Sequence, residues 1–303
     1  MDEVVSKLRS KHVYIGTSSW KYAGWKDLVY AKPYKSEKDF NERCLAEIAD
    51  HYSTVGIDHT YYAWPLPSTF EKYAALTPSG FLMGLKVTER VTAFQFPKLP
   101  RYGKVAGTRN QDFLNADVFE NQFIKPLLPY QDRIGVLMFE FSQFYPGMLE
   151  SGAEFVDRLS QFLKTIVARY PFQLSVEIRN RTWLKPEYFE MLLKYHVAHV
   201  FNSWTRMPTL SEQLTLTDTY AFPAIVSRIL LQPGTKYEQA VEAFSPYDKI
   251  QEESMELRRT GADLIRRALK AGVPAFVFVN NRAEGCAPKT IQGILDLIRA
   301  ELK

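Results

Sequence analysis

The feature that most constrains the fold of this sequence is a short apolar run that recurs along the chain and ends each time in polar residues. The run LSVEIRNRTW at 174–183 is the clearest case, because Glu177 interrupts its apolar residues and Arg179 follows closely. Similar runs are VYIGTSSW at 13–20, TVGIDHTYY at 54–62, FLMGLKVTER at 81–90 and FVFVNNR at 276–282. An unpaired carboxylate in a dry interior is costly. We therefore expect Glu177 either on a surface strand or at a polar site where a buried strand ends.

Strand-like runs and helical stripes alternate along nearly the whole chain. Strands are predicted near 13–16, 54–58, 81–87, 134–139, 173–178, 196–202, 223–230 and 275–280. Apolar residues at helical spacing lie between them, in stripes that start at Phe40, Phe119, Phe155, Leu257 and Ile291. About eight strands separated by helices predict an α/β fold, a single (β/α)8 TIM-type barrel domain over residues 1–303.

A doubly wound open sheet is the main alternative, because strand–helix alternation alone does not separate the two folds. No Gly-x-Gly-x-x-Gly follows any strand, which weighs against a dinucleotide-binding version of that sheet. Residues 91–112 and 231–250 fit the alternation poorly and are predicted as long loops, the second with one helical turn. In a barrel both would lie at the C-terminal mouth.

Charge and cysteine content narrow the classes of partner. The chain has a net charge of +4 with both signs interspersed, so nucleic-acid binding is unsupported, although it is not excluded. Cys44 and Cys286 provide neither a disulfide framework nor a Cys-x-x-Cys metal spacing. The start has no apolar signal core and no run approaches the ~18 apolar residues of a membrane span. We expect a cytoplasmic protein without a membrane segment or a cofactor, and nothing indicates its oligomeric state.

Polar residues at the predicted strand ends are the candidates for catalysis. Glu177 and Arg179 share a strand face, so both are expected to point into a barrel mouth, where the guanidinium would orient the carboxylate or a substrate anion. Lys86 ends the third strand and is a candidate base or anion-binding group. Asp58 follows the second strand and is a candidate for proton transfer. The alternative for Glu177 and Arg179 is a structural ion pair at the end of the fifth strand, and the alternative for Lys86 is an exposed lysine at the rim.

Five further residues are candidates for substrate binding. Arg228, in the apolar seventh strand, suits a phosphate or carboxylate, or else forms an internal salt bridge with one of the two carboxylates above. Asn280 and Asn281 close the last strand and suit sugar hydroxyls or base edges, the alternative being a turn cap. Thr17 would hydrogen-bond a ligand and Trp20 would stack on it, unless they form a plain turn with a packed indole. No metal site is predicted.

Several motifs together resemble those of the domain-of-unknown-function 72 family, also described as YecE-like or YunF-like. GTSSWKYAGW at 16–25, VEIRNRTW at 176–183 and FVFVNNRAEGCA at 276–287 are similar to three of its signatures, in the family's order. Lys86 and Arg90 resemble its third-strand Lys/Arg pair, so Arg90 joins the candidate binding residues. The resemblance implies a TIM-type barrel, and it implies no reaction, because the family's biochemical role is not established.

The chain departs from the family pattern at several strand ends. Gly56 stands where the family has a glutamate, and Glu140 begins the segment that replaces the family's Gln-x-Pro-Pro. The histidine of the family's Arg-x-His-Gly is missing after Arg228. The chain is therefore identified as a divergent member.

Two hypotheses of different classes follow. The first is an enzyme acting by acid–base chemistry on a polar, anionic small molecule such as a sugar, sugar phosphate or nucleotide derivative. It is based on the polar residues at the strand ends. The second is a non-catalytic barrel that binds a ligand or nucleic acid, and it is based on the missing family histidine and glutamate.

Overall fold

The computed structural model of the protein describes residues 3–167, 169–232 and 234–302. In these ranges eight parallel strands close into a barrel, in which each strand pairs with its neighbours in the chain and the last pairs with the first. The strands are β1 Val13–Thr17, β2 Thr54–Ile57, β3 Leu82–Lys86, β4 Ile134–Phe141, β5 Leu174–Ile178, β6 Ala198–Asn202, β7 Ile225–Ile229 and β8 Ala275–Val279. The closed order confirms the predicted (β/α)8 barrel and excludes the open sheet.

Helices connect the strands. They are α1 Glu3–Ser10, α2 Glu37–Arg43, α3 Leu45–His51, α4 Pro67–Leu76, α5 Glu89–Thr92, α6 Ala116–Val118, α7 Gly152–Ile166, α8 Pro186–Lys194, α9 Leu210–Leu216, α10 Tyr237–Phe244, α11 Met255–Ala271 and α12 Ala287–Ile298. A π-helix at Phe119–Ile124 and a 3-10 helix at Lys125–Arg133 continue α6. Shorter 3-10 helices are Ala23–Trp25, His59–Tyr61, Pro100–Val105, Arg181–Trp183, Asn281–Ala283 and Arg299–Leu302.

Helix α7 shows how the predicted stripes become helices. Ser151 caps its first turn by accepting a hydrogen bond from the Glu154 amide at 3.2 Å. The stripe residues Phe155 and Phe162 are buried against the barrel. The stripe beginning at Phe40 behaves differently, because it is divided between α2 and α3 with a break at Cys44.

The apolar core has two layers, one between the barrel and the helices and one inside the barrel. Three rings contribute to the inner layer: Tyr14 stacks on Phe276 at 5.0 Å, and Phe278 lies closer to the mouth. A Cβ on Gly84 would lie 2.2 Å from Cζ of Phe278, so only glycine at this position leaves room for the ring. We call Tyr14, Phe276 and Phe278 the aromatic floor, because they fill the barrel below the mouth.

The two segments predicted as long loops lie at the C-terminal mouth, except that Pro233 of the second is outside the described residues. Segment 91–112 includes the 3-10 turn whose Arg101 guanidinium lies 4.7 Å from the ring of Tyr62, after β2. Segment 231–250 contains α10, which is longer than the predicted single turn. Ala240 and Phe244, one helical turn apart, are buried together with Leu231, and this tertiary packing stabilises the helix. No helix of the described ranges is long and apolar enough to cross a membrane.

Candidate functional site

The C-terminal mouth of the barrel is lined by polar residues at the strand ends. Side chains along a strand alternate in direction. The residue two positions after the last apolar residue that points into the barrel therefore also points inward. On this alternation the strand ends contribute, from β1 to β8, Ser18, Asp58, Lys86, Glu140, Glu177, Asn202, Arg228 and Asn280. Residues far apart in sequence are thereby brought to one layer above the aromatic floor.

Glu140, at the end of β4, makes three ion pairs within this layer. Its carboxylate lies 2.8 Å from Nζ of Lys86, 2.9 Å from Arg179 and 2.6 Å from Arg228. The Glu140 side chain is only 4% exposed. Three charge-assisted contacts satisfy a carboxylate that would otherwise be very unfavourable in this position.

Glu177, on the neighbouring strand β5, is fully buried and bound through both of its oxygens. Its Oε2 lies 2.5 Å from Arg228, and its Oε1 accepts a hydrogen bond of 3.2 Å from Nε of Arg179. The interruption of the apolar run by a carboxylate is explained by these two guanidinium groups. Of the two predicted settings for Glu177, the structure shows the polar site at the end of a buried strand.

Asp58 is the open member of the network. Its carboxylate lies 3.5 Å from Lys86 and 3.6 Å from Arg228, and its side chain is 37% exposed. Asp58, Glu140 and Glu177 thus face Lys86, Arg179 and Arg228, a set of six side chains with a formal charge of zero. We call these six residues the mouth network.

Electrostatics inside the network keep its buried members charged. Burial alone would raise the pKa of Glu140, but the Arg179, Lys86 and Arg228 cations together hold that pKa well below its usual range. Burial likewise disfavours the Arg228 cation, while Glu177 and Glu140 raise the pKa of its guanidinium above the ordinary arginine value. Proton transfer to Glu140 or from Arg228 is therefore unfavourable near neutral pH.

Aromatic rings cover two of the network cations. Nζ of Lys86 lies 4.6 Å from the centre of the Tyr61 ring, and the Arg179 guanidinium lies 3.9 Å from the ring of Trp204. Such contacts favour a cation that has lost its water. Tyr61 is itself held by Ser142, whose hydroxyl oxygen lies 3.4 Å away.

Of the residues predicted from the sequence, some lie in the mouth network and the others lie outside it. Glu177, Arg179, Lys86, Asp58 and Arg228 meet in the mouth network, and Arg228 forms the internal ion pairs considered as its alternative role.

Both asparagines after β8 act as caps. Asn280 accepts a hydrogen bond from the Arg282 amide at 3.0 Å and starts the 3-10 helix there. Asn281 accepts one from the Ala287 amide at the start of α12 and another from the Trp25 indole. Both are almost completely buried, so their oxygens serve the fold.

Arg90, Trp20 and Thr17 lie outside the mouth network. Arg90 is exposed on α5, with its guanidinium 5.5 Å from the ring of Phe96. Trp20 is buried with its ring edge-on to Tyr73 at 5.6 Å, which leaves no open face for stacking. Thr17 is fully buried, and its hydroxyl has no hydrogen-bond partner among the described residues.

Glu140 is the network residue that sequence reasoning did not select. Its run IGVLMFEF has a glutamate as its penultimate residue, as the run LSVEI containing Glu177 does, so the signal was present in the same form. The parallel register pairs Glu140 directly with Glu177, which places the two carboxylates side by side.

Two cavities lie near the mouth but beside the network. One of about 620 Å³ is lined by His59, Lys21, Lys72 and Tyr73, and His59 hydrogen-bonds the Tyr73 hydroxyl at 3.1 Å. Another of about 650 Å³ lies along 23–40, after β1. Among the residues that the structure describes, no three His, Cys, Asp or Glu side chains are arranged to hold a metal ion.

Comparisons with known proteins give a family and a fold. The model of the family "Protein of unknown function DUF72" matches residues 14–303. The UPF0759 protein YunF of Bacillus subtilis is 24% identical over 188 residues, which are 61% of this chain and 57% of that protein's length.

Two solved structures of DUF72 family proteins share the fold. One, from Thermotoga maritima, has a TM-score of 0.59 at 20% identity and covers 96% of this chain and 99% of its own. The other, from Enterococcus faecalis, has a TM-score of 0.62 at 12% identity, and the match covers 95% of this chain and 97% of that chain.

Proposed function

This chain belongs to the DUF72 family of proteins of unknown function, and from its barrel mouth we propose an enzyme that binds a small polar molecule and uses Asp58 for proton transfer. The family description supplies no reaction, so the proposal comes from the geometry of this chain. The convergence of six charged side chains from five strand ends, with one carboxylate open to solvent, is the observation that carries it.

Asp58 suits the proton-transfer role because it is both accessible and loosely held. Its contacts with Lys86 and Arg228 are 3.5 and 3.6 Å long, whereas Glu140 and Glu177 make contacts as short as 2.6 and 2.5 Å. A carboxylate with free lone pairs and 37% exposure can accept a proton from a ligand. Glu177, the residue favoured from the sequence, is fully buried with both oxygens bound and cannot reach one.

The other members of the network act as positioning residues. Glu140 and Glu177 hold the Lys86 and Arg228 side chains beside Asp58, and the Trp204 ring packs against the Arg179 guanidinium. Cations held in place before the ligand arrives stabilise developing negative charge without reorganisation. A network with no open member would serve stability alone, and the exposure of Asp58 favours a site.

The mutual neutralisation of the network also supports a second candidate, a barrel that binds its ligand without converting it. In that case the charged layer would recognise hydroxyls and amides through hydrogen bonds, and no proton would be transferred. The two candidates share the site and differ in whether the ligand is consumed.

The experiment is a thermal-shift screen of sugars, sugar phosphates and nucleotides, followed by NMR of each stabilising compound for conversion. We expect at least one compound to be converted, and Asp58→Asn to lower turnover by roughly 10²–10⁴-fold while its melting curve stays close to that of the original chain. Asp157→Asn, which changes an exposed carboxylate on α7, is the matched control and should leave turnover unchanged. Undiminished turnover in Asp58→Asn would overturn the assignment, and stabilising compounds that are never consumed would support the binding candidate.

A further inference from the structure

Arg282, directly after β8, differs from the arginines of the mouth network. Its Nε is shielded from solvent and has no hydrogen-bond partner among the described residues. In the same ranges its side chain makes no ion pair, whereas Arg179 and Arg228 each contact two or more carboxylates. Buried donors are almost always satisfied, so an arginine left in this state indicates a partner that the folded chain does not supply.

Packing holds the Arg282 guanidinium in a defined place. It lies 4.5 Å from the centre of the Tyr237 ring on α10. Tyr237 in turn lies 6.3 Å from Trp204, the ring that covers Arg179. Arg282 is thus joined to the mouth network through two aromatic rings and does not extend freely into solvent.

Tyr22 links Arg282 to Asp58 on the other side. Burial raises the pKa of the Tyr22 hydroxyl, while hydrogen bonding to Ser19 and the Arg282 charge lower it and the Asp58 charge raises it. Both charges therefore lie near the same hydroxyl. Its ring packs edge-on against Tyr247 at 5.3 Å, which holds the loop after β1, where Tyr22 lies, against the loop after α10.

The end of β1 adds a donor next to this position. The Ser18 amide donates to the Val279 carbonyl of β8 at 2.8 Å, so Ser18 lies beside the strand end that leads to Arg282. The Ser18 hydroxyl is buried and has no hydrogen-bond partner within the described ranges. An uncompensated guanidinium and an unsatisfied hydroxyl thus occupy adjacent strand ends.

We propose that Arg282 binds a phosphate group of the ligand whose reacting part lies at Asp58, with the Ser18 hydroxyl as a second donor. The inference rests on the proposed function, and it names the class of ligand as a small phosphorylated molecule. Arginine presents a planar fork of donors that matches phosphate oxygens, and the Tyr237 ring packs against that fork. Barrels of this type commonly bind phosphate at the loops after strands seven and eight, which is where Arg282 lies.

This assignment moves the expected anion site from Arg228 to Arg282. Arg228 already faces Glu140, Glu177 and Asp58, so an incoming phosphate there would meet three negative charges. No carboxylate lies within ion-pair distance of Arg282 in the part of the chain that the structure describes, so its charge is available.

The test is a titration of the protein with inorganic phosphate at constant ionic strength, in which binding is measured by NMR. A parallel titration with acetate measures the binding of a carboxylate. We expect the original chain to bind phosphate more tightly than acetate, Arg282→Gln to weaken phosphate binding at least tenfold, and Arg282→Lys to weaken it less. Arg259→Gln, which changes an exposed arginine on α11 that likewise makes no ion pair among the described residues, is the matched control and should bind phosphate like the original chain.

Phosphate binding by Arg282→Gln equal to that of the original chain would overturn the proposal. Tighter binding of acetate, lost in Arg282→Gln, would overturn the phosphate assignment and make the bound group a carboxylate. Asp58→Asn separates this inference from the proposed function. If that variant keeps both phosphate binding and turnover, the catalytic assignment fails while the phosphate site stands. If it loses turnover but Arg282→Gln binds phosphate normally, only the phosphate site fails.

Discussion

Replacement of Glu140 by glutamine is the most direct test of the mouth network. The substitution keeps the size of the side chain and removes one negative charge, so three cations would then face only Asp58 and Glu177. With an effective dielectric constant of about 20, each contact near 2.8 Å contributes roughly 6 kcal/mol of attraction. Desolvation offsets most of this, and removing one partner of a buried ion pair costs about 3–5 kcal/mol net. We expect Glu140→Gln to lower the free energy of unfolding by about that amount.

The assay is denaturant unfolding of the original chain and the variant, at neutral pH and on acidification. The matched control is Asp263→Asn, which removes a carboxylate from a surface pair with Arg266 and should cost less than about 1 kcal/mol. The folded-state pKa of Glu140 lies below its ordinary value of 4.5, so its contribution is fully present above that pH and is lost as the pH falls further. The gap between the original chain and Glu140→Gln should therefore narrow below about pH 4.5. A loss no larger than that of the control, with no such narrowing, would refute the electrostatic account.

Three further predictions concern the fold around the site. Gly84→Ala should lower the free energy of unfolding by about 1–3 kcal/mol, because its Cβ would overlap the Phe278 ring, and Phe278→Leu in the same chain should recover part of the loss in denaturant unfolding. Burial lowers the pKa of His199 from 6.5 to about 3, so on acidification this side chain takes up a proton in the unfolded chain before it does in the folded one. The free energy of unfolding should therefore fall as the pH drops below 6.5. Unfolding midpoints measured from pH 8 to 4 should decline less for His199→Phe than for the original chain. Asn281→Ala should cost about 1–3 kcal/mol, because the Trp25 indole and the start of α12 lose their acceptor, and an unchanged melting temperature would contradict this.

The strands could be predicted closely because each buried strand of a parallel barrel is a short apolar run. The run predicted at 134–139, for example, appears as β4 over Ile134–Phe141. The helix α10 could not be predicted as well, since the burial of Ala240 and Phe244 depends on Leu231, which precedes them by a loop. Tertiary packing of this kind has no local signature.

The candidate site was only partly accessible from the sequence. Alternation along strands predicted that Glu177 and Arg179 face one mouth, and the structure brings Lys86 and Asp58 to the same place. The sequence did not show which of the carboxylates would be buried in ion pairs and which would be exposed to solvent. Glu177 is buried and Asp58 is partly exposed because of how far each strand extends and which cations contact each carboxylate. The distances between these groups are determined only when the barrel is assembled.

The aromatic floor determines how molecules could pass through the site. Tyr14, Phe276 and Phe278 close the barrel below the charged layer, and Gly84 lets the last of these rings sit tightly against the opposite wall. The barrel interior below the mouth network is therefore filled, so a ligand of the network would enter and leave on the side of the strand ends. For the enzyme proposed above, product would have to leave past α10 and the 3-10 turn at Pro100–Val105 before the next substrate enters, and this exchange would set an upper limit on the turnover rate.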